Sequence, residues 1–371
     1  MTYAALTGWG KCMPPAVLSN ADLATFIETD DAWITSRTGI KERRVSHVPL
    51  TQLAHVAAAR ALACAGLDAK DVDLIVLGSC SYDEQVPNAA SGVQSLLGAA
   101  NAGAMDINTA CTSFLYGLSC ANAMIRTGVV RNAVVIGVEW ISPFMDWSNR
   151  NVAVLFGDGA AAVVLQATEE PLGVMGEKLG CYADSRHILR VRGMGSAYAN
   201  RGVTVGDTSW DFDGQEIFKK AVLGMGEASA AALAKAGLGI QDIDLVVPHQ
   251  ANLRIIESVG KRIGAAPERV YLTVERYGNM SAATVPVALV DAIEEGRVKP
   301  GAKVLTPAFG GGLTYCAHVI QWGERTTPLG KTDVDLPPCT KSALEMVQEL
   351  ITAKSPVGRS AEGLAAPLST H

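Results

Sequence analysis

The sequence contains no C-x-x-C pair, which removes the usual signatures of a zinc ribbon or a dithiol redox site. Its eight cysteines, Cys12, Cys64, Cys80, Cys111, Cys120, Cys181, Cys316 and Cys339, are scattered along 371 residues. In a reducing compartment they are expected to be free thiols, with neither a disulfide framework nor a metal site. No uninterrupted apolar run is long enough to cross a bilayer, and the opening MTYAALTGWGKCMPPAV lacks the charged-then-apolar order of a signal peptide. The expected location is therefore the cytoplasm. Charged residues make up only 18% and the net charge is −6, so no global basic field draws the chain to nucleic acid or anionic lipid. What remains is 49% hydrophobic, enough for a large core in a soluble globular protein.

The chain resembles itself. ALACAGLDAKDVDLIVLGSC aligns with AALAKAGLGIQDIDLVVPHQ, setting Ala65-Gly66-Leu67 over Ala236-Gly237-Leu238, 171 residues apart. Each copy reads as a helix, a turn and a buried strand. A weaker echo pairs RNAVVIGVEW with PGAKVLTPAFGGG as a second apolar strand. Strands that read as continuous apolar runs are covered on both faces, which predicts α/β layering in two related halves. The Ala- and Gly-rich segments AASGVQSLLGAA and SAATVPVALVDAI carry few charges and suit helices buried between layers. After Trp322, GERTTPLGKTDVDLPP reads as a polar linker and TKSALEMVQELITAK as a short amphipathic helix opening on a serine or threonine cap; SPVGRSAEGLAAPLSTH has the composition of disorder.

Several stretches carry chemistry. In GAMDINTACTSFLYGLSCANAMI a strand-like segment runs straight into a helical one, with Cys111 at the junction. A thiol there faces the exposed N–H groups and positive dipole end of a helix, which favour thiolate; a free cysteine can equally be a packing residue. In LVVPHQANLRII, His249 stands where an apolar strand ends, the place where α/β proteins put reactive groups, although a satisfied structural histidine fits too. ERYGNMSAATVPVAL places Asn279 in a Gly-Asn turn, where asparagine is also a common turn or cap residue. TPAFGGGLTYC supplies Gly310 to Gly312, able to turn backbone N–H groups toward a ligand oxygen.

Taken together, TDDAWITSRTGIKERRV, NTACTSFLYGL, VLFGDGAAAVVL, PHQAN, YGNMSAATVPVAL and AFGGGLTY resemble, in order and spacing, the thiolase-like condensing enzymes, and specifically the β-ketoacyl-acyl carrier protein synthase III family. The resemblance covers about residues 1 to 323. It implies a five-layered αβαβα fold with duplicated halves, 1–170 and 171–323, followed by a C-terminal extension over 324–371. It also implies a decarboxylative condensation of an acyl-CoA primer with malonyl-acyl carrier protein in fatty acid or related lipid synthesis, by a cytoplasmic homodimer that needs no cofactor.

Position by position, the resemblance makes Cys111 the acyl-accepting nucleophile, and His249 and Asn279 the donors that polarise the malonyl thioester carbonyl. The backbone N–H groups of Cys111 and Gly311 become the second oxyanion hole. Trp33 and Arg37 match an adenine-sandwiching pair for coenzyme A, with Arg150 and Asn252 as further contacts. Lys219, Arg254, Lys261 and Arg262 fall where the family presents a basic patch to acidic carrier protein. Two departures stand out: Asn151 occupies a position that is commonly glycine, and Glu84 lies near a region reached from the partner subunit, where relatives that condense without decarboxylation keep a glutamate base. That chemistry, and a catalytically silent partner subunit, are the competing functions. Val86, expected to come from the partner subunit and to form the far wall of the acyl pocket, is smaller than the aromatic of acetyl-primed members. It predicts a medium-chain primer.

Overall fold

A computed structural model describes residues 1–200 and 206–354; the sequence segment SPVGRSAEGLAAPLSTH lies outside the described residues. Two sheets form the frame. The first has five strands in the order Tyr3–Cys12, Gly159–Thr168, Asn132–Glu139, Leu74–Gly78 and Gly103–Ile107. The second has four, in the order Gly173–Cys181, Thr314–Gln321, Lys303–Gly310 and Leu245–Val246. Read from the same edge, they repeat one pattern of directions: two antiparallel pairings and then a parallel one. Where the first sheet adds Gly103–Ile107 as a fifth strand, the second has only a parallel bridge between Val246 and Val270. The self-matched segments are the helix Leu50–Ala65 with its strand Leu74–Gly78, and the helix Gly214–Ala236 with its strand Leu245–Val246.

Burial explains the layering. The helix Thr284–Glu294, TVPVALVDAIE, is buried at ten successive positions from Thr284 to Ile293, as expected of a helix apolar all round. It shares one core cluster with the helix Ser113–Arg126 and with inward residues of both sheets, among them Val76, Val135, Val163, Val304 and Ile320. These two helices are the middle layer. The opposite face of the first sheet packs on Leu50–Ala65 and Ala89–Leu97, and that of the second packs on Gly214–Ala236. The result is five layers, αβαβα. Close approach is built into the sequence: a Cβ at Gly8 would sit 2.3 Å from the carbonyl oxygen of Ala61, and one at Gly10 2.6 Å from that of Ala57. Only glycine at these two strand positions lets the alanine-rich helix lie this close.

Beyond Trp322 the chain is no free linker. The Leu329 amide donates to the Cys64 carbonyl at 3.0 Å, Arg60 pairs with Asp335 at 3.0 Å, and a ring nitrogen of His47 lies 2.8 Å from the Pro337 carbonyl oxygen. The helix Ala343–Lys354 then starts with a reciprocal cap, in which the Ser342 and Glu345 side chains each bond the other's backbone amide. It buries Ala343, Met346 and Val347 against the cluster containing Leu18 and Val45, and Lys354 donates to the Met145 carbonyl at 2.8 Å.

Candidate active site

The site lies between the halves, where the strands that precede Cys111 and His249 end. The strand Gly103–Ile107 leads through a tight turn, in which Ala110 takes a left-handed φ of 52°, to Cys111 and then to the helix Ser113–Arg126. His249 follows the strand Leu245–Val246, its amide bonded to the Pro307 carbonyl at 2.8 Å. Asn279 follows Gly278, where a φ of 64° and a Cβ that would stand 2.7 Å from the Leu155 carbonyl oxygen exclude a side chain. A parallel bridge from Asn279 to Phe156 ties this loop of the second half to the first. Cys111, His249 and Asn279 thereby line one cavity of about 560 Å³.

Each polar group there has a defined partner. Nδ1 of His249 lies 2.6 Å from the Thr284 hydroxyl. The ring is buried, which pushes its pKa down to about 3, so it is neutral at pH 7. The side-chain oxygen of Asn279 accepts the Ser281 amide at 2.8 Å, which leaves its NH₂ group to donate. The thiol of Cys111 behaves against the expectation from the helix end: burial pushes its pKa up to about 12, opposed by bonds from Ser281, its own amide and the Gly311 amide. Desolvation by the surrounding protein outweighs the helix terminus, although Cys111 keeps part of its surface open to the cavity. Even so, the amides of Cys111 and Gly311 both work against that rise. The turn is also tight against Gly310, where a Cβ would lie 2.7 Å from the Cys111 nitrogen.

The remaining expected positions divide. Trp33, Arg37, Arg150, Asn151 and Asn252 line the same cavity. Arg37 rests on the Trp33 ring at 4.5 Å and Arg150 approaches that ring at 4.9 Å. Trp33 and Arg37 are an i, i+4 pair on one helix, and the guanidinium lies directly on the indole. Asn252 caps the helix Leu253–Ile263, accepting the Ile255 amide at 2.9 Å. Arg254, Lys261 and Arg262 of that helix are exposed, and Lys219 on the neighbouring helix is paired with Glu216 at 2.6 Å. Val86 is 83% exposed and does not line the cavity of its own chain. Glu84 is exposed as well, beside Asp83 and Pro87 in a separate depression.

Sequence reading missed three residues around the thiol. Glu139 is fully buried; its carboxylate accepts from Ser79, Ser81, the Cys80 amide and the Ala282 amide at 2.5 to 3.3 Å. Ser281, in a left-handed conformation with φ 45°, and Thr284 complete the set. The hint available was GNMSAAT, two hydroxyl residues within five positions of Asn279.

Comparison with known proteins identifies the family. Two family models match, one described as 3-oxoacyl-[acyl-carrier-protein (ACP)] synthase III over residues 105–183 and its C-terminal counterpart over residues 233–322. The chain is 50% identical over 349 residues to a protein of Vibrio cholerae named beta-ketoacyl-[acyl-carrier-protein] synthase III 2, covering 94% of this chain and 96% of that one. It is 45% identical over 324 residues to a beta-ketoacyl-[acyl-carrier-protein] synthase III of Roseiflexus, covering 86% and 98%. The crystal structure of 3-oxoacyl-[acyl-carrier-protein] synthase III from Aquifex aeolicus superposes with a TM-score of 0.80 at 38% identity, covering 86% of this chain and all of that one.

Proposed function

The chain belongs to the 3-oxoacyl-[acyl-carrier-protein] synthase III family of condensing acyltransferases in fatty acid biosynthesis, and from that premise we propose how its residues share the reaction. Cys111 takes an acyl group from acyl-CoA, and the resulting thioester is attacked by the carbanion that malonyl-acyl carrier protein leaves on losing carbon dioxide. The amides of Cys111 and Gly311 hold the oxygen of the first tetrahedral intermediate. Neutral His249 and the Asn279 NH₂ group donate to the malonyl thioester oxygen, on which the carbanion's charge accumulates. In that role the single hydroxyl proton of Thr284 turns from the Ser281 carbonyl, 2.9 Å away, to Nδ1, which leaves Nε2–H facing the substrate.

Trp33, Arg37, Arg150 and Asn252 serve coenzyme A, the adenine taking the place of one guanidinium on the indole. Arg254, with Lys219, Lys261 and Arg262, meets the acidic carrier protein. Val86, apolar and exposed, reaches across a homodimer to close the partner's acyl pocket, and its small size admits a medium-chain primer. Acyl-CoA is a substrate, no cofactor takes part, and the enzyme works in the cytoplasm. Glu84, outside the cavity of its own chain, is given no role as a base.

The observation that carries this reading is the meeting of Cys111, His249 and Asn279, residues far apart in sequence, in one cavity. Separating the half-reactions tests it. His249→Ala and Asn279→Ala should still accept an acyl group on Cys111 while condensation with malonyl-acyl carrier protein falls about 10²- to 10⁴-fold. Either variant condensing at the full rate would refute the assignment.

A further inference from the structure

The segment TGIKERRV carries an arginine in an unusual setting. Arg43 is fully buried, one of the largest side chains in the interior, and among the described residues no carboxylate bonds its guanidinium. The acceptors are all neutral. Nη1 donates to the Leu18 carbonyl at 3.1 Å and to the side-chain oxygen of Asn20 at 2.9 Å, and Nη2 donates to the Val154 carbonyl at 2.7 Å. Nε has no partner among the described residues. Burial pushes the pKa of the group down to about 9, which still leaves it cationic at pH 7. An unpaired charge in a dry interior is costly, whereas each bond from an ionised donor is about twice as strong as a neutral one. Such a group is worth keeping for what its bonds hold in place.

What they hold is the support of Asn279. Val154 ends the short helix Arg150–Ala153, and the three residues after it pair with the Asn279 backbone. The Asn279 amide donates to the Leu155 carbonyl at 2.8 Å, the Gly157 amide donates to the Asn279 carbonyl at 3.1 Å, and Phe156 forms the parallel bridge between them. Both backbone groups of this second-half residue therefore close on one segment of the first half. That segment lies directly on the strand Glu42–Val45: a Cβ at Gly157 would stand 2.8 Å from the Arg43 Cβ, and the Asp158 amide donates to the Arg44 carbonyl at 2.9 Å. On its far side the guanidinium is fixed in turn, because the NH₂ group of Asn20 donates to Asp31 and to the Ile40 carbonyl, both at 2.8 Å. An unbroken series of bonds thus runs from Asn20 through Arg43 and Val154 to the backbone of Asn279.

We propose that Arg43 is a positioning residue for the Asn279 donor in the decarboxylation and condensation half-reaction. This rests on the condensing reading above. Without the guanidinium the Val154 carbonyl loses its bond, the segment Leu155–Gly157 shifts, and the NH₂ group of Asn279 shifts with it. A planar fork is required, because Nη1 and Nη2 serve different partners and the single nitrogen of a lysine cannot span them. The other two members of the site are held elsewhere: Cys111 by the turn after the strand Gly103–Ile107, and His249 by the bond from its amide to the Pro307 carbonyl. Acylation of Cys111, which does not use Asn279, is therefore outside the reach of Arg43 once acyl-CoA is bound.

Two rates measured separately on the full-length enzyme test this: single-turnover acylation of Cys111 at saturating octanoyl-CoA, and release of carbon dioxide from malonyl-acyl carrier protein during condensation. Arg43→Met should acylate within about threefold of wild type while decarboxylation and condensation fall about 10- to 10²-fold, the cost of misplacing a reacting group by about 1 Å. Arg43→Lys, which keeps the charge but not the fork, should show the same split at about tenfold, and it remains decisive if Arg43→Met fails to fold. In an Asn279→Ala background Arg43→Met should slow condensation by less than about twofold more, since the group it positions is gone. A merely structural role would instead lower both half-reactions alike and cost the same factor again in that background. Either of those results, or condensation at the wild-type rate by Arg43→Met, would overturn the assignment. Full condensation by Asn279→Ala alone would sink the condensing reading on which it rests.

Discussion

Gly310 and Gly311 look equivalent in FGGGL, but their surroundings make opposite demands, and replacing each by alanine is a sharp test of the oxyanion geometry. A Cβ at Gly310 would stand 2.7 Å from the Cys111 nitrogen, 3.1 Å from the Thr109 oxygen and 3.2 Å from the Thr112 nitrogen. All three are backbone atoms, so no side chain can rotate away. Restoring an ordinary contact of 3.4 Å requires the nucleophile turn to retreat by roughly 0.7 Å. An oxyanion donor works at about 2.7–3.1 Å from the oxygen, and a shift of that size takes it out of range. Losing one such donor costs about 10²- to 10³-fold in rate, and the overpacking itself costs about 1–3 kcal/mol of stability. At Gly311 the nearest atom is the Ala110 Cβ at 3.4 Å, an ordinary contact, and the backbone φ is one that alanine tolerates. Gly310→Ala should therefore slow single-turnover acylation of Cys111 by about 10²-fold or more and lower Tm by several degrees. Gly311→Ala should acylate within a few-fold of wild type. Equal losses in the two variants, or full acylation by Gly310→Ala, would show that the hole is not formed where the structure puts it.

Three further outcomes are expected. Arg254→Glu should weaken use of malonyl-acyl carrier protein far more than acylation by acyl-CoA, with a steep salt dependence in wild type only; equal loss in both half-reactions would remove the carrier patch. Val86→Phe should move the maximum of kcat/KM from about eight carbons toward two, since each methylene that loses burial gives up about 0.8 kcal/mol; a maximum at two carbons in the unmutated enzyme would end the open-pocket idea. Glu177 is held at about 2, below its ordinary 4.5, first by its bond with His318 at 3.3 Å and then by that from Ser119 at 2.5 Å. A depressed carboxylate stabilises the fold above about 4.5 and loses that contribution as pH falls toward 2, so the Tm gap between wild type and Glu177→Gln should be full at pH 7 and close in acid; a gap independent of pH would contradict it.

The fold was largely legible because its cause is local. Ala65-Gly66-Leu67 and Ala236-Gly237-Leu238 end their helices with the same left-handed glycine, φ 63° and 68°, and the apolar runs behind them could only be strands covered on both sides. Cys111, His249 and Asn279 stood out for a related reason: each sits at a punctuated junction of strand, turn and helix. What could not be read depends on groups remote in sequence. The direction of the Cys111 pKa is set by burial between two halves, and the buried Glu139 draws its partners from both, Ser79, Cys80 and Ser81 in one and the Ala282 amide in the other. The stacking of Arg37 on Trp33 is a contact between side chains that composition does not fix. Val86 and Glu84 are exposed and lie outside the cavity of their own chain.

The central claim is that a single thiol, Cys111, carries the acyl group between coenzyme A and the carrier protein. Purified enzyme mixed with a mass-tagged acyl-CoA, digested and sequenced by mass spectrometry, addresses it directly when the sample is divided and half is chased with malonyl-acyl carrier protein. The account predicts the acyl mass on the Cys111 peptide before the chase, its disappearance afterwards, and an equal amount of tagged β-ketoacyl-acyl carrier protein. An unmodified Cys111 peptide under conditions where the β-ketoacyl product still forms would contradict it.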